Sequence, residues 1–125
     1  MNSLQYFEIQ ADNPKKAIEF YSKVFGWRFE KDEKIPVDYW RIFDAGPFGG
    51  LLKRPAAVPT VQSGTNAYVC SMQVRDFDRV SDKILKNGGQ VALEKFAVLG
   101  KCWQGYFIDT EGNTFGIFEV DENAK

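Results

Sequence analysis

The second half of the chain repeats the order of segments found in the first half. Over residues 7–51 an apolar strand pattern is followed by a capped helix, a glycine, further strand patterns and a closing strand that begins at two glycines. The same order returns over residues 67–120, and Gly26 after the first helix aligns with Gly89 after the second. A repeated unit of this kind buries its apolar face against its copy, and two similar concave surfaces can enclose a cavity. The repeat therefore predicts one module used twice around a central cavity.

Helix and strand signals predict the content of each module. Asn13 is a candidate helix cap, Pro14 follows at the first helical position, and Gly26 suits a left-handed helix end. Asp76 has the same capping role before the second helix, which stops at residues 87–89. Alternation and turn residues predict strands over 4–10, 27–29, 39–43 and 50–53, and again over 67–74, 90–94, 103–108 and 114–120.

These elements predict an α+β fold of two tandem βαβββ modules. The modules occupy residues 1–53 and 66–121, and the segment 54–65, rich in Pro, Ala and Gly, is the predicted linker. With 125 residues the chain fits one domain that folds without a disulfide or metal. Cys70, in a predicted strand, and Cys102, in a predicted loop, lack metal-binding spacing, so both are expected to be free thiols.

Composition excludes several classes of partner and chemistry. The formal net charge of -1 gives no reason to expect nucleic acid as a partner. No apolar run approaches the roughly 18 residues that span a bilayer, and the N-terminus lacks a secretory pattern, so no membrane partner is expected and the cytoplasm is the default location. The chain has no histidine, which removes Ser-His-Asp and Cys-His nucleophilic centres.

Three segments together resemble the vicinal oxygen chelate superfamily, which contains glyoxalase I, bleomycin-resistance proteins and extradiol dioxygenases. They are residues 7–14, residues 20–27 with a Phe-Tyr-x-x-x-Phe-Gly-Trp pattern, and residues 109–116 with an Asp-x-Glu-Gly-Asn turn. The resemblance spans nearly the whole chain. It implies a glyoxalase-like curved sheet around a cavity, and it implies a homodimer, because members of the superfamily commonly pair.

The resemblance also implies where a metal would be bound. Metal-using members place His, Glu or Gln at four equivalent sites, which fall in this chain at Tyr6, Gly50 (or its neighbour Gly49), Val69 and Gly116. A divalent ion needs three or four N, O or S ligands, and glycine and valine side chains provide none. No metal ligand and no cofactor are therefore predicted. A divalent metal at an unrelated carboxylate cluster is the alternative.

Glycines and aromatic residues are the candidates for an organic ligand site. Gly50 and Gly116 remove side chains from strands facing the predicted cavity, which leaves room for a ligand, while packing or a bulge is the alternative explanation. Aromatic rings bind flat or cationic groups, although they also fill cores and dimer interfaces. Trp40 and Trp103 are interpreted as matched strand positions within reach of the concave face. The ligand-binding candidates are Trp40, Phe48, Gly50, Trp103, Gln104, Gly116 and Phe118.

Glu8 is the candidate for catalysis or for anchoring a ligand. It lies in the middle of the first strand between two apolar residues, where a carboxylate is costly to bury without a partner. A salt bridge to Arg41, Lys53 or another basic residue on an adjacent strand, or plain solvent exposure, is the alternative. Tyr6 lies on the same face and is a candidate to orient a ligand carbonyl or hydroxyl, or is simply a strand aromatic.

Three functions from different classes remain. The first is a metal-free protein that binds a small organic molecule in an aromatic-lined cavity, by analogy with the drug-sequestering branch of the superfamily. The second is a glyoxalase-related lyase or isomerase, with Glu8 as general base and Tyr6 or backbone N–H groups stabilising an enolate. The third is a non-catalytic dimerisation module with a filled cavity. Whether the chain is an enzyme stays open at this point.

Overall fold

The computed structural model describes residues 6–54 and 68–125, and the chain divides into two compact units, Met1–Val58 and Pro59–Lys125. The described part of the first unit contains β1 (Tyr6–Ala11), α1 (Pro14–Phe25), β2 (Arg28–Lys31), β3 (Tyr39–Phe43) and β4 (Phe48–Lys53). That of the second contains β5 (Ser71–Gln73), α2 (Phe77–Lys86), β6 (Gln90–Val98), β7 (Cys102–Ile108) and β8 (Thr114–Val120). The predicted α+β fold of two βαβββ modules is confirmed. The predicted linker lies, except for Arg54, outside the described residues.

The two sheets have the same strand order. The first is β1-β4-β3-β2 and the second is β5-β8-β7-β6. In each sheet the first strand runs parallel to the last, which is antiparallel to its other neighbour. Parallel neighbours require a crossover, and the helix of each module provides it. The topology therefore repeats as the sequence does.

Both helices begin at the predicted caps. Asn13 Oδ1 accepts the Lys16 backbone N–H at 3.2 Å, and Asp76 Oδ1 accepts that of Arg79 at 3.1 Å. Gly26 ends α1 with φ of 74°, the left-handed conformation that its lack of Cβ allows. Within the described residues, neither helix is long and apolar enough to cross a membrane.

Each helix buries an apolar side against one face of its own sheet. In α1 the buried residues are Ala17, Phe20, Tyr21 and Val24. The Tyr21 ring stacks on Trp27 with centroids 5.2 Å apart. In the second module, Ile84 of α2 is fully buried, as is Ile117 of β8, and the Phe107 ring stacks on Phe115.

Several predicted element bounds were wrong. β6 continues to Val98 instead of ending at residue 94, β5 is limited to Ser71–Gln73, β4 begins at Phe48, and β2 runs over Arg28–Lys31. The described part of the first strand is Tyr6–Ala11. Cys102 begins β7 and does not lie in a loop, and Cys70 precedes β5. Both cysteines are free thiols, as predicted.

Candidate functional site

In the described part of the first module, α1 covers one face of the sheet and no helix of the module covers the other. Alternation along β1 and β4 places Ile9, Ala11 and Leu51 on the helix-covered face, where Ala11 and Leu51 are fully buried. The register pairs Glu8 with Gly50, and Gly50 in turn with Arg41. These residues therefore share the opposite face, called here the open face. The open face carries Tyr6, Glu8, Tyr39, Arg41, Phe48 and Gly50.

Four polar side chains on the open face form one hydrogen-bonded chain. The Tyr39 hydroxyl donates to Glu8 Oε2 at 2.7 Å and lies 2.6 Å from the Tyr6 hydroxyl. Arg41 Nη1 donates to the Tyr6 hydroxyl at 2.9 Å. A phenol has a single proton, and because Tyr39 gives its proton to Glu8, Tyr6 must donate in the bond between the two tyrosines. The chain therefore runs in one direction, from the Arg41 guanidinium through Tyr6 and Tyr39 to the Glu8 carboxylate.

Arg41, at one end of the hydrogen-bonded chain, has an acidic partner, whereas Glu8, at the other end, has no basic partner among the described residues. Arg41 Nη2 forms an ion pair with Asp32 Oδ2 at 3.1 Å. The pKa of Asp32 is lowered, first by the hydrogen bond that its carboxylate accepts from the Lys34 backbone N–H and then by Arg41. The salt bridge considered for Glu8 is not formed, since Arg41 binds Asp32 and Tyr6, and Lys53 Nζ donates to the backbone carbonyl of Asp12. Within residues 6–54 and 68–125, no lysine or arginine forms an ion pair with Glu8.

Gly50 makes room for the Tyr39 ring. A Cβ atom at Gly50 would lie 2.0 Å from the Tyr39 hydroxyl oxygen and 2.3 Å from its Cζ. Gly49 has the same relation to Phe7, whose Cε1 would lie 2.3 Å from an added Cβ. Of the explanations considered for these glycines, close packing of an aromatic side chain is the one that the structure shows.

The pKa of the Tyr39 phenol is raised above its ordinary value, first by burial and then by the hydrogen bonds to Tyr6 and Glu8. A group whose pKa is raised on folding contributes stability that is complete below its unfolded value, about 10 for tyrosine, and is lost as pH rises past it. We therefore expect the free energy of unfolding to fall above about pH 10, and to fall less steeply in Tyr39→Phe. Urea titrations of both proteins across this pH range measure the difference, and parallel pH dependences would contradict it.

A depression of about 380 Å³ lies beside the hydrogen-bonded chain. The Phe48 ring is 77% exposed and Tyr6 is 36% exposed, so both present aromatic surface to solvent. The lining residues are Tyr6, Arg41, Ile42, Phe43, Phe48 and Gly49. The predicted site residues Tyr6 and Phe48 therefore lie beside one another. Glu8 accepts a hydrogen bond from Tyr39, whose hydroxyl is also bonded to that of Tyr6.

The corresponding face of the second sheet is uncharged at the equivalent positions. Ser71 pairs with Gly116 in the second sheet, as Glu8 pairs with Gly50 in the first. Phe118 lies two residues after Gly116 in β8. A Cβ atom at Gly116 would lie 2.4 Å from Ser71 Oγ and 2.8 Å from Gln104 Nε2. Gln104 lies within β7, and its Nε2 donates to Ser71 Oγ at 3.3 Å.

The two tryptophans do not occupy matched positions. Trp40 is opposite Leu51, whereas Trp103 is opposite Glu119. Leu51 lies on the helix-covered face of its sheet, and the Glu119 carboxylate accepts the first backbone N–H of α2 at 2.7 Å. The interpretation that both indoles lie at equivalent positions within reach of the concave face is therefore wrong. The register makes Gly105 the counterpart of Trp40.

The chain matches a family model over most of its length. The model describes the glyoxalase/bleomycin resistance protein/dioxygenase superfamily, and it matches residues 3–117. The chain belongs to this superfamily. A glyoxylase-like domain-containing protein from Didymella fabae is 32% identical over 118 residues, which cover 88% of this chain and 88% of that protein.

Solved structures of the superfamily share this fold at low sequence identity. The fosfomycin resistance protein FosX from Listeria monocytogenes, in a complex with Mn(II) and 1S,2S-dihydroxypropylphosphonic acid, has a TM-score of 0.77 at 13% identity, covering 97% of this chain and 94% of FosX. A family enzyme from Burkholderia phytofirmans has a TM-score of 0.72 at 14% identity, covering 94% and 98% of the two chains. These likenesses establish the fold.

The residues at the superfamily's metal positions do not fit a divalent ion. Gly50, Val69 and Gly116 have no side-chain donor atom, which leaves Tyr6. The space at Gly50 is filled by the Tyr39 phenol, and the space at Gly116 is filled by neighbouring polar side chains. Among the residues with described positions, no group of three or more His, Cys, Asp and Glu side chains is placed to hold a metal ion.

Proposed function

We propose that this superfamily member binds a small organic molecule on the open face of its first module, with Glu8 as the polar anchor and without a metal. The observation that carries the proposal is a carboxylate that has no cationic partner among the described residues, on a face that also presents aromatic rings. Glu8 is exposed, and the depression beside its tyrosine partners includes the exposed Phe48 ring. An aromatic surface with a few polar groups that fix orientation is typical of small-molecule sites.

The protons of the hydrogen-bonded chain indicate which ligand group suits this site. Tyr39 and Tyr6 each donate their single hydroxyl proton within the hydrogen-bonded chain. Neither tyrosine therefore donates a hydrogen bond to a ligand unless one of these hydrogen bonds is broken. The described residues leave Glu8 Oε1 without a donor, and a carboxylate oxygen accepts hydrogen bonds. The site therefore suits a ligand with N–H donors, and best a protonated amine beside a flat apolar group, because aromatic faces also attract cations.

Three probes of equal size and different charge test this ligand class. Benzylamine, benzyl alcohol and benzoate share a phenyl ring and differ in the group presented to Glu8. In titrations followed by ¹⁵N–¹H correlation spectra, we expect benzylamine to shift the amides around Tyr6, Glu8 and Phe48 more strongly than benzyl alcohol, and benzoate to leave them unshifted. Equal responses to all three, or no response to any, would contradict the proposal.

Glu8→Gln is the matched variant, because glutamine keeps the shape and removes the charge. We expect it to weaken benzylamine binding about tenfold or more, which is the range for a hydrogen bond to a charged group. Glu122→Gln removes an exposed carboxylate from the second module and serves as the control, with unchanged affinity. Equal affinities in Glu8→Gln and the unsubstituted protein would remove Glu8 from the site.

The metal-free part of the proposal has its own test. Elemental analysis of the purified protein by inductively coupled plasma mass spectrometry is expected to find less than stoichiometric Ni, Zn, Mn and Fe. Melting curves with a chelator and with each added ion are expected to coincide, because a metal bound to the folded state would raise the melting temperature. A stoichiometric metal with a chelator-sensitive melting temperature would overturn this part and favour an enzyme.

The alternative function is a glyoxalase-related lyase or isomerase with Glu8 as general base. One observation favours it, since a base needs an accessible oxygen and Glu8 is exposed. Stabilising an enolate would fall to backbone N–H groups, because Tyr6 and Tyr39 already donate within the hydrogen-bonded chain. Turnover of a hemithioacetal of an α-oxoaldehyde, lost in Glu8→Gln, would replace the binding function with this one. The second alternative, a non-catalytic dimerisation module, would follow from dimerisation without any ligand binding.

We also propose a cytoplasmic location, and a homodimer, which the family relationship supports and which a light-scattering mass measurement tests directly.

A further inference from the structure

β6 forms the edge of the second sheet and exposes apolar side chains along its length. It is nine residues long, and among the strands of the described residues its one neighbour is β7. An exposed edge strand presents unpaired backbone groups that can pair with another strand. The exposed apolar residues of β6 are Val91 (37%), Leu93 (53%), Phe96 (37%) and Val98 (37%). Apolar exposure of this kind along one edge marks an interaction surface.

The middle of β6 has the same chemical order in both directions. Residues 92–97 are Ala-Leu-Glu-Lys-Phe-Ala, which is small, large apolar, acidic, basic, large apolar and small. In an antiparallel pair of two copies about a two-fold axis between Glu94 and Lys95, Leu93 of one copy would lie opposite Phe96 of the other. Glu94 would then lie opposite Lys95, twice. A two-fold interface requires this kind of self-complementarity.

The pairing of β6 with β7 is irregular at two places, between Val91 and Leu93 and between Leu93 and Phe96, and the second irregularity is a bulge that puts Leu93 and Phe96 on one face. Leu93 pairs with Tyr106 and Phe96 pairs with Gln104, so Glu94 and Lys95 together oppose the single residue Gly105. Residues 104 and 106 are two apart in a regular strand and share a face, so Leu93 and Phe96 share a face although they are three apart. In a regular strand they would point to opposite faces, and a two-fold pairing could not bring them together.

We propose that the β6 edge is the interface between two copies of this chain, paired antiparallel about a two-fold axis at this bulge. The occupant is a second copy because both the apolar pair and the charged pair complement themselves under that rotation. Lys95 forms an ion pair with Asp78 of its own chain at 3.1 Å and lies over the Phe77 and Trp103 rings, so Glu94 of the second copy would share the Lys95 ammonium group with Asp78. One strand from each copy buries less area than the roughly 1,200 Å² of standard interfaces, so the expected dissociation constant is micromolar.

This proposal names the surface of the proposed homodimer and does not depend on the ligand site, whose residues lie in the first module. Leu93→Glu would place a carboxylate at the centre of the apolar contact and is expected to raise the dissociation constant about thirtyfold or more. Leu85→Glu is the matched control, because Leu85 is also an exposed leucine, at 48%, and lies on α2. Sedimentation velocity over a concentration series measures both, with circular dichroism to verify folding.

The expected result is a dimer for the unsubstituted chain and for Leu85→Glu, and a monomer for Leu93→Glu at the same concentration. A monomeric unsubstituted chain at concentrations well above micromolar would overturn the proposal, because the bulge would then act as protection of the edge. A Leu93→Glu protein that stays dimeric would also overturn it, since the interface would lie elsewhere. Benzylamine binding by Leu93→Glu is expected to be unchanged in either case, which separates this test from that of the ligand site.

Charge reversal provides a second test that leaves the apolar residues intact. Glu94→Lys places two lysines opposite one another at the axis and is expected to weaken the dimer several-fold. The double variant Glu94→Lys with Lys95→Glu restores opposite charges under the same symmetry and is expected to recover the affinity. No recovery in a folded double variant would contradict the proposed register.

Discussion

Gly50→Ala is expected to lower the free energy of unfolding by about 2–3 kcal/mol, the upper part of the range for overpacking a closely packed site. The added methyl group would lie 2.0 Å from the Tyr39 hydroxyl oxygen, and the 6% exposed tyrosine has little room to move. Displacing the ring would also break its hydrogen bonds to Glu8 and Tyr6. Urea unfolding monitored by tryptophan fluorescence measures the loss.

A double-mutant cycle assigns the cause of that loss. In a Tyr39→Ala background the obstructing ring is absent, so we expect Gly50→Ala to cost less than about 1 kcal/mol there. Additive losses from the two substitutions would mean that the methyl group acts on the backbone rather than on the ring. The cycle therefore separates steric contact with Tyr39 from a general intolerance of alanine in β4.

Asp109→Ala is expected to lower the free energy of unfolding by about 2–4 kcal/mol, because it leaves buried donors without an acceptor. Asp109 is 4% exposed, and its Oδ1 accepts the backbone N–H groups of Glu111 at 2.8 Å and Asn113 at 2.9 Å. These bonds hold the turn between β7 and β8. Thermal and urea unfolding of the variant measure the effect.

Asp109→Asn is the control, because its amide oxygen can occupy the position of Oδ1. We expect a loss of less than half that of the alanine variant. Equal losses in both variants would show that the charge of Asp109, rather than its role as an acceptor for two backbone groups, stabilises the turn.

Local signals in the sequence were sufficient for the helices and for the order of the elements. Asn13, Asp76 and Gly26 act within a few residues of their position in the chain, so capping and turn chemistry predicted them correctly. The family pattern at residues 109–116 has a similar local basis, since Asp109 bonds to its own turn. Interactions between residues close together in the chain are therefore the ones that could be predicted from the sequence.

The candidate site was only partly predictable because its central residue acts across strands. Tyr39 has no distinguishing neighbours in sequence, and its role follows from lying across Gly50, which is on another strand. The observed register pairs Arg41 with Gly50 and so brings large side chains of β3 beside a glycine. The sequence alone does not determine that register. For the same reason Trp40 and Trp103 were matched incorrectly, because the register makes Gly105, two residues after Trp103, the counterpart of Trp40.

The packing of Tyr39 against Gly50 also determines how this fold could be engineered. Installing a metal centre by the obvious route, Gly50→Glu, would direct the new side chain into space that a phenol already fills. A designer would have to shorten Tyr39 in the same step, and would lose the hydrogen bond that Tyr39 donates to Glu8. At Gly116 the same obstacle recurs with Ser71 and Gln104. Conversion to a metalloprotein would therefore require coordinated replacement of several side chains on both sheets, and single substitutions are expected to yield unstable intermediates.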